Sequence, residues 1–132
     1  MLKLTEWKAG DIVLADFEGQ MRVGDVLDVS WGDKKALIAH NESEFWYEIN
    51  NIYAVPLDHD ILTELGFSRA NGNTTGTVYQ RGPFTLEIVD NGQDNHSLLH
   101  YRDETRHVHG LKYLHQLQKH YKGMTNFELT WP

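Results

Sequence analysis

The stretch "FWYEINNIYAVPLDHDILTELGF", Phe45–Phe67, decides how this chain folds. Phe45, Tyr47 and Ile49 alternate with Trp46 and Glu48, which is the two-residue period of a strand. "NNIYAV" then leaves room for one helical turn and a last short strand, and Pro56 closes it. Beyond Pro56 the period changes. Asp58 can cap a helix, Asp60 puts negative charge in its first turn, and Ile61, Leu62 and Leu65 make an apolar stripe. Gly66 stands where a left-handed residue ends such a helix. An all-β segment therefore gives way to a mixed one at Pro56.

Toward the N-terminus the punctuation is that of short strands. Ile12–Phe17 is a β-rich apolar run, and "EGQ" turns the chain. In Met21–Val29, Met21, Val23, Leu27 and Val29 share a face that Asp25 interrupts. "SWGDKK" supplies a Gly-Asp turn, Ala36–His40 another strand, and "NESE" another turn. Short strands joined by tight turns, with a helical turn before the last, predict an SH3-like β-barrel over residues 1–56. That comparison is one of fold and carries no function.

Toward the C-terminus, "SRANGNTTGT" (Ser68–Thr77) predicts a mobile loop. A phosphate-cradling loop would need its glycines ahead of a helix and usually a lysine; here strand-like sequence follows and no lysine is near. Thr77–Gln80, Phe84–Val89 and Ser97–Tyr101 predict strands, Arg106–His109 a further one after an "RDET" turn, and a helix begins near Leu111. The fold class is α+β. An SH3-like barrel is followed by a short helix, a second antiparallel sheet and a C-terminal helix, with residues 57–132 a second lobe packed on the first.

Composition narrows function by exclusion. A chain of 132 residues, 40% apolar and 23% charged, is one ordinary domain or two small lobes sharing a core. It has no cysteine, which excludes disulfides, thiolate metal sites and cysteine nucleophiles. "MLKLTEWKAGD" has no secretory h-region, and no apolar run is long enough to span a bilayer, so a cytoplasmic protein without membrane association is expected. The net charge of −7 is uneven: residues 1–67 carry −8, whereas residues 68–132 carry +1 and six of the eight histidines. An acidic first half disfavours nucleic acid, whose binding rests on Lys and Arg neutralising phosphates, and permits a cationic partner.

The most chemical-looking stretch is "RHVHGLKYLHQLQKHYKG", Arg106–Gly123. On a helix, Leu111, Leu114, Leu117, Gln118 and Tyr121 fall on one side. His115 lies on the flank of that face, and His120 faces water. Two helical ligands of one metal need i,i+3 or i,i+4 spacing, which His115 and His120 do not have. One metal arrangement survives. With "RDET" as the turn, His100 sits opposite His107, and His109 shares their face, so three imidazoles could hold Zn²⁺ with water as fourth ligand. A one-residue slip of register scatters them, and a solvent-facing or partner-facing histidine cluster is the plainer reading. The serines and carboxylates form no catalytic constellation, and no cofactor is implied.

Aromatic residues are the heavier clue. Trp46 and Tyr47 are adjacent in a strand and must face opposite ways, and Trp31 sits at a turn. Either Trp31 and Trp46 cement the two lobes, or they form an exposed binding face in acidic surroundings.

The segment "LKYLHQLQKHYKGMTNFEL" resembles a C-terminal motif of the form K-Y-[LV]-H-Q-L-Q-x-x-Y-x-x-x-T-G-x-E-L. "VPLDHDILTELGF", "EWKAGDIVLADFEGQMRVGDVLDV" and "INNIYAVPL" fit the same layout in order. That layout is similar to a widespread group of small uncharacterised proteins of Bacteroides-type bacteria, their prophages and phages. The resemblance implies a cytoplasmic accessory protein of a mobile element and carries over no catalytic residue. Asn126 replaces the motif glycine, and Asn also tolerates the left-handed conformation; His120 and Lys122 replace apolar residues. His115 belongs to the motif, which suits a structural histidine that locks the helix to the sheet.

The function expected from all this is non-enzymatic binding, to a protein partner or in a homo-oligomer, through Trp31 and Trp46. The alternative is a binder of a small, nucleotide-type ligand that counteracts a host defence signal, with the Asn/Gly/Thr loop, Arg69, Arg81 and the histidines His100, His107 and His109 lining a site between the lobes or at a homo-oligomer interface. A metal-dependent hydrolase built on the same three histidines is the third reading.

Overall fold

The structure, a computed structural model, describes residues 7–70, 77–90 and 95–132. The first sheet comprises β1 (Ile12–Phe17), β2 (Gln20–Ser30), β3 (Lys35–His40), β4 (Ser43–Glu48) and β5 (Ile52–Ala54), with a single 3-10 turn at Ile49–Asn51 before β5. All pairs are antiparallel, in the order β4-β3-β2-β1-β5. The β1–β2 turn is two residues, Glu18 and Gly19, with φ of 51° and 85°. Such a turn twists in the sense that antiparallel strands require.

The ladder is open rather than closed. Three-residue β5 pairs with β1 through Val13↔Ala54 and Ala15↔Ile52, and no ladder joins it to β4 among the described residues. The sequence predicted an SH3-like barrel; among the described residues the hydrogen bonding gives a five-stranded antiparallel sheet with β4 and β5 as its edges. A bulge at Leu27 shifts the β2–β3 register and curls the sheet over a core of Val13, Ala15, Val26, Ala36, Ile38, Tyr47, Ile49, Ile52 and Trp7. Gly24 lets β3 pass close by. A Cβ there would lie 2.6 Å from the Ala39 carbonyl oxygen and 2.8 Å from the His40 ring.

Helix α1 (His59–Glu64) starts as the sequence predicted, with the Asp58 carboxylate accepting the Ile61 N–H at 2.8 Å. Gly66 follows it with φ of 91°. The second sheet is β6 (Ser68–Ala70), β7 (Thr77–Arg81), β8 (Phe84–Asp90), β9 (Asn95–Tyr101) and β10 (Glu104–His109), antiparallel in chain order. Ser68–Ala70, predicted as loop, pairs with β7, while the Asn/Gly/Thr segment 71–76 lies outside the described residues. Helix α2 (Leu114–Thr125) lies against the inner face of this sheet, with Phe84 and Tyr121 ring centroids 4.8 Å apart.

Strand β1 joins the halves because both its faces are buried. Val13 and Ala15 enter the core of the first sheet; Ile12 enters the other core, with Val55, Leu62, Phe84, Leu86, Leu99, Leu114 and Leu117. The second core is therefore built from both halves of the chain. No helix among the described residues is long and apolar enough to cross a membrane.

Candidate functional site

The β9–β10 hairpin turns through Arg102 and Asp103 alone, with Tyr101 paired to Glu104. The predicted four-residue turn was too long, and the register moves by two residues. His100 pairs with Thr105, His107 with Leu98, and His109 with His96. An even shift preserves the face, so His100, His107 and His109 do share the outer face of the sheet. They do not converge. His100 Nδ1 bonds the Thr105 hydroxyl at 2.7 Å, and the His109 ring lies against His96, centroids 5.8 Å apart. Among the described residues no three His, Asp or Glu side chains are placed to hold a metal ion. The hydrolase reading loses its geometry.

Arg69 and Arg81 do not join these histidines either. Arg69 pairs with Tyr79, whose side chain is in the core, so Arg69 and Arg81 belong to the opposite face. Arg81 sits over the Tyr121 ring, 5.6 Å from its centroid, and its Nη1 donates to the Tyr121 hydroxyl at 3.3 Å. It braces α2. The sheet itself separates the arginines from the imidazoles.

The segment 112–126 docks the second half on the first, residue by residue. The Lys112 carbonyl accepts the Leu57 N–H at 2.9 Å, Tyr113 pairs with Pro56, and the Leu114 N–H donates to the Val55 carbonyl at 2.8 Å. This pairing holds residues 112–113 extended and delays the helix to Leu114, three residues later than the apolar spacing suggests. Gln116 Oε1 accepts the Tyr113 N–H at 3.0 Å and the Lys112 N–H at 2.9 Å, satisfying donors at the helix start. The His115 ring lies 5.0 Å from Trp7 and stacks on Tyr113 at 6.0 Å. Gln118, 7% exposed, has three bonds: its Oε1 accepts Ile12 N–H at 2.8 Å, and its Nε2 donates to the carbonyls of Gly10 at 2.8 Å and Leu129 at 2.9 Å. It ties α2 to β1 and to the returning C-terminal tail. Asn126 ends the helix at φ 66°, in the left-handed conformation that Asn tolerates.

His120 does not simply face water. Arg106 Nη1 lies 3.2 Å from its Nδ1. Burial, Arg106 and Lys119 together hold its pKa below the usual histidine value. His40 is a buried histidine with both nitrogens bonded. Its Nδ1–H donates to the Val23 carbonyl at 3.1 Å, and its Nε2 meets the Tyr47 hydroxyl at 3.0 Å. Burial raises the carboxyl pKa of Asp11, against the Lys8 N–H bond and the Lys8 charge; burial likewise raises that of Asp25, against the charge of His40.

The aromatic residues are arranged differently. Trp31 and Trp46 are about half exposed and belong to neither core, so they do not cement the halves. The exposed large apolar side chains among the described residues, all but Phe127, sit on the first sheet and its turns: Phe17, Met21, Leu27, Trp31, Phe45, Trp46 and Tyr53. Phe45 and Trp46 share the edge strand β4 and point to opposite faces. Glu44 and Glu48 flank Trp46 on its own face, and Asp33 and Glu48 line a hollow of about 310 Å³ at the end of β4, together with Lys34. Phe45 and the flanking glutamates were not singled out from sequence, because only the strand order reveals that β4 is an edge.

Searches of protein-family models, curated proteins and solved structures find no match to this chain.

Proposed function

We propose that this chain is a non-enzymatic protein-binding module that takes an extended, basic and apolar segment of its partner along β4. The observation that carries this reading is an edge strand with Phe45 and Trp46 both half exposed. An edge strand offers unpaired backbone N–H and C=O groups to an added strand, and alternate side chains of the guest then fall beside those of the host. Charge selects the guest. Glu42, Glu44 and Glu48 on or beside β4 repel the β4 edge of a second copy and attract lysine or arginine. Trp31, Trp46 and the acidic hollow extend the surface beyond the backbone.

The strand order and the 3-10 turn before β5 support reading the first sheet as an SH3-like small barrel. The motif resemblance supports a cytoplasmic accessory role in a mobile element.

The test uses a short peptide that alternates lysine with valine, and a second that alternates glutamate with valine. The basic peptide is expected to change tryptophan fluorescence and to shift the backbone amide signals of residues 43–48. Trp46→Ser and Glu44→Lys are each expected to abolish the effect. Equal response to both peptides, or amide shifts that avoid β4, would overturn the reading.

A further inference from the structure

A groove of about 560 Å³ runs between the segment before β1, the end of β10 and the outer flank of α2. This is within the size range of small-molecule sites, roughly 300–1,000 Å³. Lys8 and Asp11 line it from the first segment, His109 from β10, and His115, Lys119 and His120 from α2. We propose that the groove binds a small multivalent oxyanion of the phosphate-ester class. The proposal is independent of strand docking on β4, which lies on another element and draws the opposite charge.

The sign of the lining is the first support. The protein is acidic, with a net charge of −7, yet among the described residues this groove gathers two lysines and three imidazoles against one carboxylate. That carboxylate is already engaged. Asp11 is buried, its Oδ2 accepts the backbone N–H of Lys8 at 3.0 Å, and the Lys8 charge interacts with it. Among the described residues no carboxylate pairs with Lys119. The side-chain ion pairs among the described residues are Arg106–Glu104 and Lys122–Glu128. Arg106 and Lys119 both crowd His120 with positive charge. An arriving oxyanion would relieve that crowding.

Donor geometry is the second support. Arg106 Nη1 donates to His120 Nδ1, so the neutral ring carries its proton on Nε2 and retains a donor there. The His115 ring is fixed between Trp7 and Tyr113, so it loses little freedom on binding. Lys119 supplies a charged donor, and bonds from charged donors to oxyanions are about twice as strong as neutral ones. The outer-face histidines His100 and His107 line none of the cavities described above, which makes them internal controls.

The experiment is a titration of the whole chain with inorganic pyrophosphate, followed by histidine side-chain NMR signals. Saturable shifts are expected for His109, His115 and His120, with His40, His100 and His107 still. Lys119→Gln combined with Lys8→Gln is expected to weaken binding about tenfold or more, since two charged donors are removed. Both lysines are exposed, and an unchanged amide spectrum would show that the fold survives. ADP and adenosine distinguish the source of the anion: ADP binding with adenosine silent is expected if phosphates alone are read. The proposal is overturned if pyrophosphate gives no saturable shift at millimolar concentration. It is equally overturned if the control histidines move as much, or if the double variant binds as well as the parent.

Discussion

The two five-stranded sheets use their polar and apolar residues in opposite ways. The second half carries the residues that look reactive, and several of its polar groups are committed to the fold: Gln118 to three backbone groups, Gln116 to the helix start, Arg81 to Tyr121. The first half looks plain, yet it leaves apolar side chains exposed and, among the described residues, a charged edge unpaired. Polar residues fixed by several bonds report on folding. Apolar residues left exposed report on a partner, because their burial is still available to drive association.

The sharpest way to break this contrast is Gln118→Leu. The side chain keeps its size, but the Ile12 N–H and the Gly10 and Leu129 carbonyls lose their partner. The Ile12 N–H and Leu129 carbonyl are the buried orphans, each costing roughly 1–3 kcal/mol, so a loss of about 2–6 kcal/mol is expected in urea denaturation. Gly24→Ala should follow at about 1–3 kcal/mol, since the new methyl meets backbone at Ala39, which cannot yield as a side chain would. Both are structural effects, one in each core.

Trp46→Ser is the opposite case. Removing a half-exposed side chain outside both cores should change stability by no more than about 0.5 kcal/mol while abolishing response to the basic peptide. A large loss of stability would show that Trp46 serves the fold and would erase the contrast.

Acidity gives the smallest effects. Folding raises the Asp11 pKa, so the folded chain holds that proton more tightly than the unfolded chain. Stability of the parent should therefore fall relative to Asp11→Asn as pH climbs from the ordinary aspartate value through the raised one. The two should converge at lower pH. His120 has the other sign. Its pKa is lowered on folding, so acidification through the ordinary histidine range and below should destabilise the parent more than His120→Gln. Denaturation midpoints measured across that range check both.

Much of the local structure was legible from spacing. The Asp58 cap, the Gly66 turn and the strands of both sheets follow from two- and 3.6-residue periods and from residues that accept positive φ. The start of α2 was not legible, because Lys112 and Tyr113 pair with Pro56 and Leu57, far away in sequence. Strand Ser68–Ala70 was missed for a similar reason: three polar or small residues become a strand only when β7 offers a ladder. Among the candidate site residues, Trp31 and Trp46 were found as aromatics at a turn and in a strand. Of the groove only His109 was among the expected site residues, since Lys8 and Asp11 lie far from Lys119 in sequence and none of the three carries a motif.

Local sequence determined most element types, the face shared by His100, His107 and His109, and the asymmetry of charge. These depend on near neighbours and on parity along a strand. Tertiary structure decided which histidines meet and that β4 is an edge. It also decided that Gln118 reaches across to Ile12. Those outcomes depend on register and strand order, where a shift of two residues keeps every face and still changes every partner.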